Sequence, residues 1–189
     1  MASSEKSLPP PEASYHSRLV AADLALRLLL FASAVVAVVV MVTSKQTEMV
    51  RWPVAPFPLL PRAAKFNHSP ALIYLVAALS VAGLYSIITG LVSFLALSKP
   101  GASAKILAHF VILDVLMLGI VSAATGAAGG VAYIGLKGNS HVGWNKICSL
   151  YDKFCRHVGG SVAVSLFASV VLALLVILSA YSLSKKIPK

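Results

Sequence analysis

Four long apolar stretches separated by polar segments set the layout of this chain. Residues 20–43, 71–97, 106–130 and 161–183 are each apolar enough to form a membrane-crossing helix. A hydrocarbon core about 30 Å thick needs roughly 20 helical residues. The uncharged part of the first stretch, residues 28–44, holds 17 residues, or roughly 26 Å at the helical rise. A comfortable first span must therefore draw in Arg27. The second stretch is uncharged over all 27 residues of 71–97, and the fourth over all 23 of 161–183. The third apolar run extends over residues 106–136, interrupted by His109 and Asp114 alone. As one helix it would be about 46 Å long. Either it protrudes from the bilayer, or Gly126, Gly129 and Gly130 end its membrane part, which places the boundary at 130. The pattern predicts an all-α integral membrane protein, a four-transmembrane-helix bundle.

The segments between spans are short. Residues 1–19 are polar and carry three consecutive prolines, which predicts a disordered tail. No apolar h-region marks a cleavable signal peptide, and Ala2 excludes myristoylation. In the loop 44–70, Pro53, Pro56, Pro58 and Pro61 are expected to break regular structure. Asn67-His68-Ser69 is formally a glycosylation acceptor, a weak one because Pro70 and the next span follow directly. The turn 98–105 is so short that its flanking spans must be antiparallel neighbours. A second long loop covers 131–160, and residues 184–189 form a tail.

Composition agrees with the pattern. The chain is 58% hydrophobic and 12% charged, against about 25% charged in soluble domains. Its formal charge is +10. The basic residues sit in short segments beside apolar runs, where they serve topology and attraction to anionic lipid rather than nucleic-acid binding. With the N-terminus cytoplasmic, the inner side holds seven basic residues besides Arg27: Lys6, Arg18, Lys99, Lys105, Lys185, Lys186 and Lys189. The outer loops 44–70 and 131–160 hold eight. Because Lys99, Lys105, Lys185 and Lys186 hug the spans, both termini and the 98–105 turn are expected to be cytoplasmic. The two cysteines, both in 131–160, agree with an outer, oxidising side.

Asp114 is the costly residue. A carboxylate near the middle of a bilayer costs about 2.5–3.5 kcal/mol on insertion scales. Spans one and three run in the same direction, and Arg27 and Asp114 lie at similar depth, roughly 12–14 Å into their helices. The third span is expected to run beside the first, with Asp114 held by Arg27. Rival readings are a snorkelling Arg27, an i,i+4 pair of Arg27 with Asp23, and an Asp114 that is protonated or hydrogen-bonded to a neighbouring Ser or Thr.

Small residues recur every four positions: Gly119, Ala123 and Ala127; Ser122, Gly126 and Gly130; Ser161, Ser165 and Ser169. Such faces let helices approach closely. They either pack within the bundle or leave one face for contact between protomers. Cys148 and Cys155 enclose a short loop. A disulfide, two free thiols, or a metal site with His157 are the options, and no third and fourth ligand accompanies them. Only His109 lies within a span, and haem held across a bundle needs facing histidine pairs. No catalytic motif is present. No enzyme activity, cofactor, metal or small-molecule substrate is expected. The rival to a structural role is a small transporter or channel using Arg27 and Asp114 in a polar path. Transporters usually carry internal repeats, which the two halves here do not obviously show.

Three segments carry a resemblance: LALRLLLF around Arg27, VILDVLM around Asp114, and YIGLKGNSHVGWNKICSLYDKFCRHVGGS in the second loop. With four spans, they resemble the Casparian strip membrane domain protein-like family of plants, group one, itself similar to MARVEL domain proteins. The resemblance covers about residues 18–186. It implies a multi-pass plasma-membrane tetraspan in homo- and hetero-oligomers with related proteins. Such a protein scaffolds a membrane domain and positions cell-wall-modifying enzymes. On that reading Arg27 and Asp114 are structural, and Cys148 with Cys155 fixes an outward-facing loop.

Overall fold

A computed structural model of the chain describes residues 11–51, 59–97 and 104–185. Outside the described residues lie 1–10, Trp52, Pro53, Pro56 and Pro58 of the first loop, 98–103 of the short turn, and 186–189 of the tail.

Four helices dominate: α1 Pro11–Val42, α2 Pro70–Leu97, α3 Ala104–Lys137 and α4 Asp152–Ser184. Each is long and apolar enough to cross a membrane. They pack as a ring in which α1 touches α2 and α4, and α3 touches the same two. Buried apolar residues recur at three- and four-residue steps on the inward faces: Leu30, Ala34, Ala37 and Met41 on α1; Leu72, Leu75 and Leu79 on α2; Val121, Ala124 and Ala128 on α3; Ala168, Leu172 and Leu175 on α4. Side chains such as Leu28, Leu84, Leu116 and Ile177 point outward and are exposed. In a bilayer they meet lipid tails, which are as apolar as they are, so close packing rather than the hydrophobic effect holds the ring together.

The ring changes one expectation. The third span does not run beside the first but stands diagonally across from it. In an up-down ring each helix neighbours its sequence partners, so helices of like direction fall on the diagonal.

Helix ends also differ from the hydropathy boundaries. The last nine residues of the expected tail 1–19 are helical, because α1 begins at Pro11. Proline at a first helical position has a preset φ and lacks only an N–H that would be unpaired there. At its far end α3 continues through Gly126, Gly129 and Gly130 to Lys137, seven residues beyond 130. A glycine inside a helix costs about 1 kcal/mol, less than exposing unpaired backbone groups to lipid. Gly138 then ends α3 with φ +69° and its N–H bonded to the Ile134 carbonyl. α4 starts at Asp152 rather than 161, and Asp152 complements the positive end of the helix dipole. The expected 131–160 loop is therefore only 138–151.

The described parts of the first loop are not irregular. Strands β1 Lys45–Arg51 and β2 Leu59–Lys65 form an antiparallel ribbon, so the protein is not purely all-α. In β1 exposure alternates with period two, turning Gln46, Glu48 and Val50 to the less exposed side. Glu48 faces Arg62 across the ribbon. Of the four prolines, Pro61 sits within β2, opposite Met49. Each strand of a two-stranded ribbon has an open edge, where proline is tolerated.

Ribbon and second loop are tied together at one end of the bundle. The Phe154 N–H donates to Gln46 Oε1 at 2.9 Å, and the Tyr151 hydroxyl donates to the Arg62 carbonyl at 3.1 Å. Cys148 and Cys155 are joined as a disulfide. Within the loop, Asn139 and Trp144 exchange both backbone hydrogen bonds, and Asn139 Oδ1 accepts from the His141 N–H. A Cβ on Gly138 would stand 2.7 Å from the Trp144 carbonyl oxygen. Gly143, at φ +70°, has open space around the same position. Gly138→Ala is therefore expected to cost more than Gly143→Ala, which carries only the left-handed backbone cost of about 1–3 kcal/mol. Melting temperatures of the two variants in detergent check the order. Equal losses would show that the Trp144 contact is unimportant.

Candidate functional site

Near the end of the bundle opposite the ribbon, all four helices send polar groups to one buried point. α1 supplies Asp23 and Arg27, one helical turn apart. α2 supplies Tyr85 and Thr89, also one turn apart, α3 supplies Asp114, and α4 supplies Ser179. Arg27 is 2% exposed and Asp114 is 0% exposed. Charges so buried need partners in every direction, or the desolvation cost is not recovered.

They have them. Arg27 Nε donates to Asp23 Oδ2 at 3.0 Å, and Nη1 donates to Thr89 Oγ1 at 2.6 Å. The same Nη1 lies 3.5 Å from Asp114 Oδ1, an ion pair across the diagonal of the ring. Asp114 Oδ1 also accepts from the Tyr85 hydroxyl at 2.6 Å, and Oδ2 accepts from Ser179 Oγ at 3.0 Å. Thr89 Oγ1 donates its own hydrogen bond to the Tyr85 carbonyl at 2.7 Å. The guanidinium carbon stands 5.6 Å from the Phe110 ring centre and 5.9 Å from that of Tyr85. At that range cation–π attraction adds to the ion pairs. Gly90 of α2 lies against the arginine stem, where a Cβ would be in ordinary contact with Arg27 Cβ and Cδ at 3.9 Å.

Two rival readings of Arg27 thus coexist. Asp23 is its nearer partner within α1, and Asp114 its partner across the bundle. Asp114 also has hydroxyl donors on two neighbours: Ser179, a serine on an adjacent helix as expected, and Tyr85, a donor type that was not expected. Tyr85 and Thr89 stand one helical turn apart on α2, a weak signal. Ser179 carries none, because a serine in an apolar span is ordinary.

The small-residue faces divide. Ser161, Ser165 and Ser169 of α4 are buried. Ser161 Oγ donates to the Ala37 carbonyl at 2.8 Å, and Thr125 Oγ1 donates to Ser165 Oγ at 3.1 Å. On α3, Gly119, Ala123 and Ala127, with Ser122, Gly126 and Gly130, point outward instead. A Cβ at Gly119, Gly126 or Gly130 would meet nothing within 4 Å. Of the two roles open to these faces, packing within the bundle does not hold for those of α3, which packs through Asp114, Val121, Ala124, Thr125 and Ala128. Asn67 is exposed on a single helical turn, Phe66–His68, just ahead of α2. Among the described residues, no group of three or more His, Cys, Asp and Glu is arranged to hold a metal ion.

Comparison with known proteins is decisive on kinship. The family model of the Casparian strip membrane protein domain matches residues 16–171. The chain belongs to this family. It is 66% identical over 167 residues to "CASP-like protein IN26" of Ipomoea nil, covering 87% of this chain and 86% of the relative. With "CASP-like protein 1D1" of Vitis vinifera it shares 63% over 170 residues, 89% of this chain and 81% of the relative. "CASP-like protein Ni6" of Beta vulgaris subsp. maritima is 59% identical over 180 residues, 95% and 91% of the two chains. No solved structure matches. The protein is a non-enzymatic, multi-pass membrane protein of a family typically placed in the plasma membrane.

Proposed function

We propose that this CASP-like protein is a plasma-membrane scaffold. It self-associates, and associates with related tetraspan proteins, to organise a membrane domain that positions cell-wall-modifying proteins. The supporting observation is the outward small-residue surface of α3. Two adjoining faces of Gly, Ala and Ser side chains run along a helix whose apolar packing partners lie on its other side. Backbones approach closely at such faces, and contact between neighbouring copies follows.

The Arg27–Asp114 pair serves this role as a lock that ties α1 to α3 across the ring. Both carboxylate oxygens of Asp114 are occupied by protein donors, and its side chain is fully enclosed. That arrangement suits a fixed strut better than the polar path of a transporter. Both termini are cytoplasmic on this reading, and the ribbon and disulfide loop face outward, where an oxidising compartment keeps Cys148–Cys155 closed.

The test is particle size in mild detergent and mobility in the membrane. The natural chain is expected to migrate as a multiple of its 19.8 kDa protomer. Ala123→Leu with Ala127→Leu is expected to shift it toward the protomer without lowering its melting temperature. A natural chain that is monomeric and diffuses freely would sink the proposal.

A further inference from the structure

We infer that a basic cleft between the start of the ribbon and the first turns of α4 binds the phosphate of a membrane phospholipid. Thr43, Lys45, Lys153, Phe154 and His157 line a cleft of about 190 Å³. Three of the five are basic residue types and none is acidic. Thr43 directly follows the last residue of α1, and the uncharged stretch of α4 begins just past His157. The cleft therefore sits at the boundary of the hydrocarbon layer, at the level of headgroup phosphates. Lysine stems lie along apolar surface at that depth while their ammonium groups reach the polar layer.

Three features point to an anion rather than to a merely solvated face. First, Lys45 and Lys65 are directly opposite in the ribbon register. Like charges so placed repel, and a bound anion removes that cost. Second, the acidic residues nearby are engaged elsewhere. Glu48 accepts from Gln46 Nε2 at 2.9 Å and faces Arg62 across the ribbon. Asp152 Oδ2 lies 3.9 Å from Arg156 Nη1. Third, the walls are held in place. The Phe154 N–H is bonded to Gln46 Oε1, His157 Nδ1 donates to the Lys153 carbonyl at 2.7 Å, and Lys153 and Phe154 lie inside the disulfide loop. The segments 44–70 and 131–160 together carry eight Lys and Arg against Glu48 and Asp152, a formal charge of +6. That surplus makes this end of the bundle favourable to an anion. Phe154 beside the cations offers apolar contact to the glycerol end of a lipid.

Native mass spectrometry of the purified full chain tests this, using dioleoyl phosphatidic acid, dioleoylglycerol, inorganic phosphate and an oligogalacturonate as separate probes. One phosphatidic acid is expected to be retained per protomer, and dioleoylglycerol is not. Lys45→Glu with Lys153→Glu is expected to reduce retention by about tenfold or more, since each lysine near a headgroup layer contributes a comparable share of the attraction. Arg51→Glu with Lys137→Glu makes the same change in net charge away from the cleft and is expected to leave retention within about twofold. Equal losses in the two double variants would overturn the proposal in favour of diffuse attraction. Equal retention of dioleoylglycerol would overturn it in favour of apolar binding. Displacement of the lipid by equimolar inorganic phosphate would make it a free-anion site. Oligogalacturonate binding that depends on Lys45 and Lys153, without lipid binding, would assign the cleft to an acidic polysaccharide.

Discussion

Arg27→Met is expected to be among the most damaging single substitutions in the bundle, and Asp114→Leu made in the same chain is expected to cost less than the two single losses added together. Removing the guanidinium leaves Asp114 fully buried with two hydroxyl donors and no cation. Breaking a buried pair from one side costs about 3–5 kcal/mol, a large part of the roughly 5–15 kcal/mol by which a folded protein is stable. For a chain of this size that is a fall in melting temperature of about 6–20 °C. Asp114→Leu alone falls in a similar range. Arg27 keeps Asp23 at 3.0 Å, and the Tyr85 and Ser179 hydroxyls lose their acceptor, at about 1–3 kcal/mol for each unpaired group. With both replaced, no charge remains at the centre, and Asp23 is left nearer the helix end with a side chain 17% exposed. Melting curves of the four chains in detergent give the coupling directly. Additive losses would mean that Asp23 alone holds Arg27 and that the diagonal pair contributes nothing.

The parts of this site that were legible in the sequence were its charges. Arg27 and Asp114 stand out because an ionised side chain in an apolar run is too costly to be incidental. Their partners on α2 and α4 were not legible, since a hydroxyl in a membrane helix can satisfy itself on its own backbone. Ser33 and Ser86 do so, donating to the carbonyls of Leu30 and Gly83. Nothing in composition separates those from Ser179, which reaches another helix instead. The same limit explains the boundaries. Glycine and proline read as breakers in water, yet α3 runs through three glycines because a hydrocarbon layer penalises an open backbone bond more than a flexible residue. Pro61 lies inside β2 because a two-stranded ribbon leaves an edge for it. The orientation of the α3 small-residue faces was open for a different reason. Four-residue spacing says that such residues share a face, and only the packed ring says which face looks out.

Replacing Cys148 and Cys155 by serine is expected to loosen the ribbon more than the bundle. The closed loop spans a sequence separation of seven, and its closure restrains the unfolded chain by about 2–3 kcal/mol in the chain-entropy model. The consequences for the folded state lie beyond the loop. Tyr151 and Phe154, both between the cysteines, make the hydrogen bonds to Arg62 and Gln46 that hold β2 and β1 against α4. Gly135 N-terminal to them packs on the bridge, a Cβ there lying 3.7 Å from Cys148 Sγ, and its carbonyl accepts from the Ile147 and Cys148 N–H groups. Opening the bridge frees the two anchors together. Amide hydrogen exchange in 45–51 and 59–65 is therefore expected to accelerate strongly in the double serine variant. Exchange at the clasp around Arg27, at the far end of the bundle, is expected to stay near its natural rate. If the ribbon kept full protection, Gln46 and Arg62 would be secured by the bundle alone, and the bridge would be a local staple. Uniform acceleration through all four helices would instead make the disulfide part of the global stability of the fold.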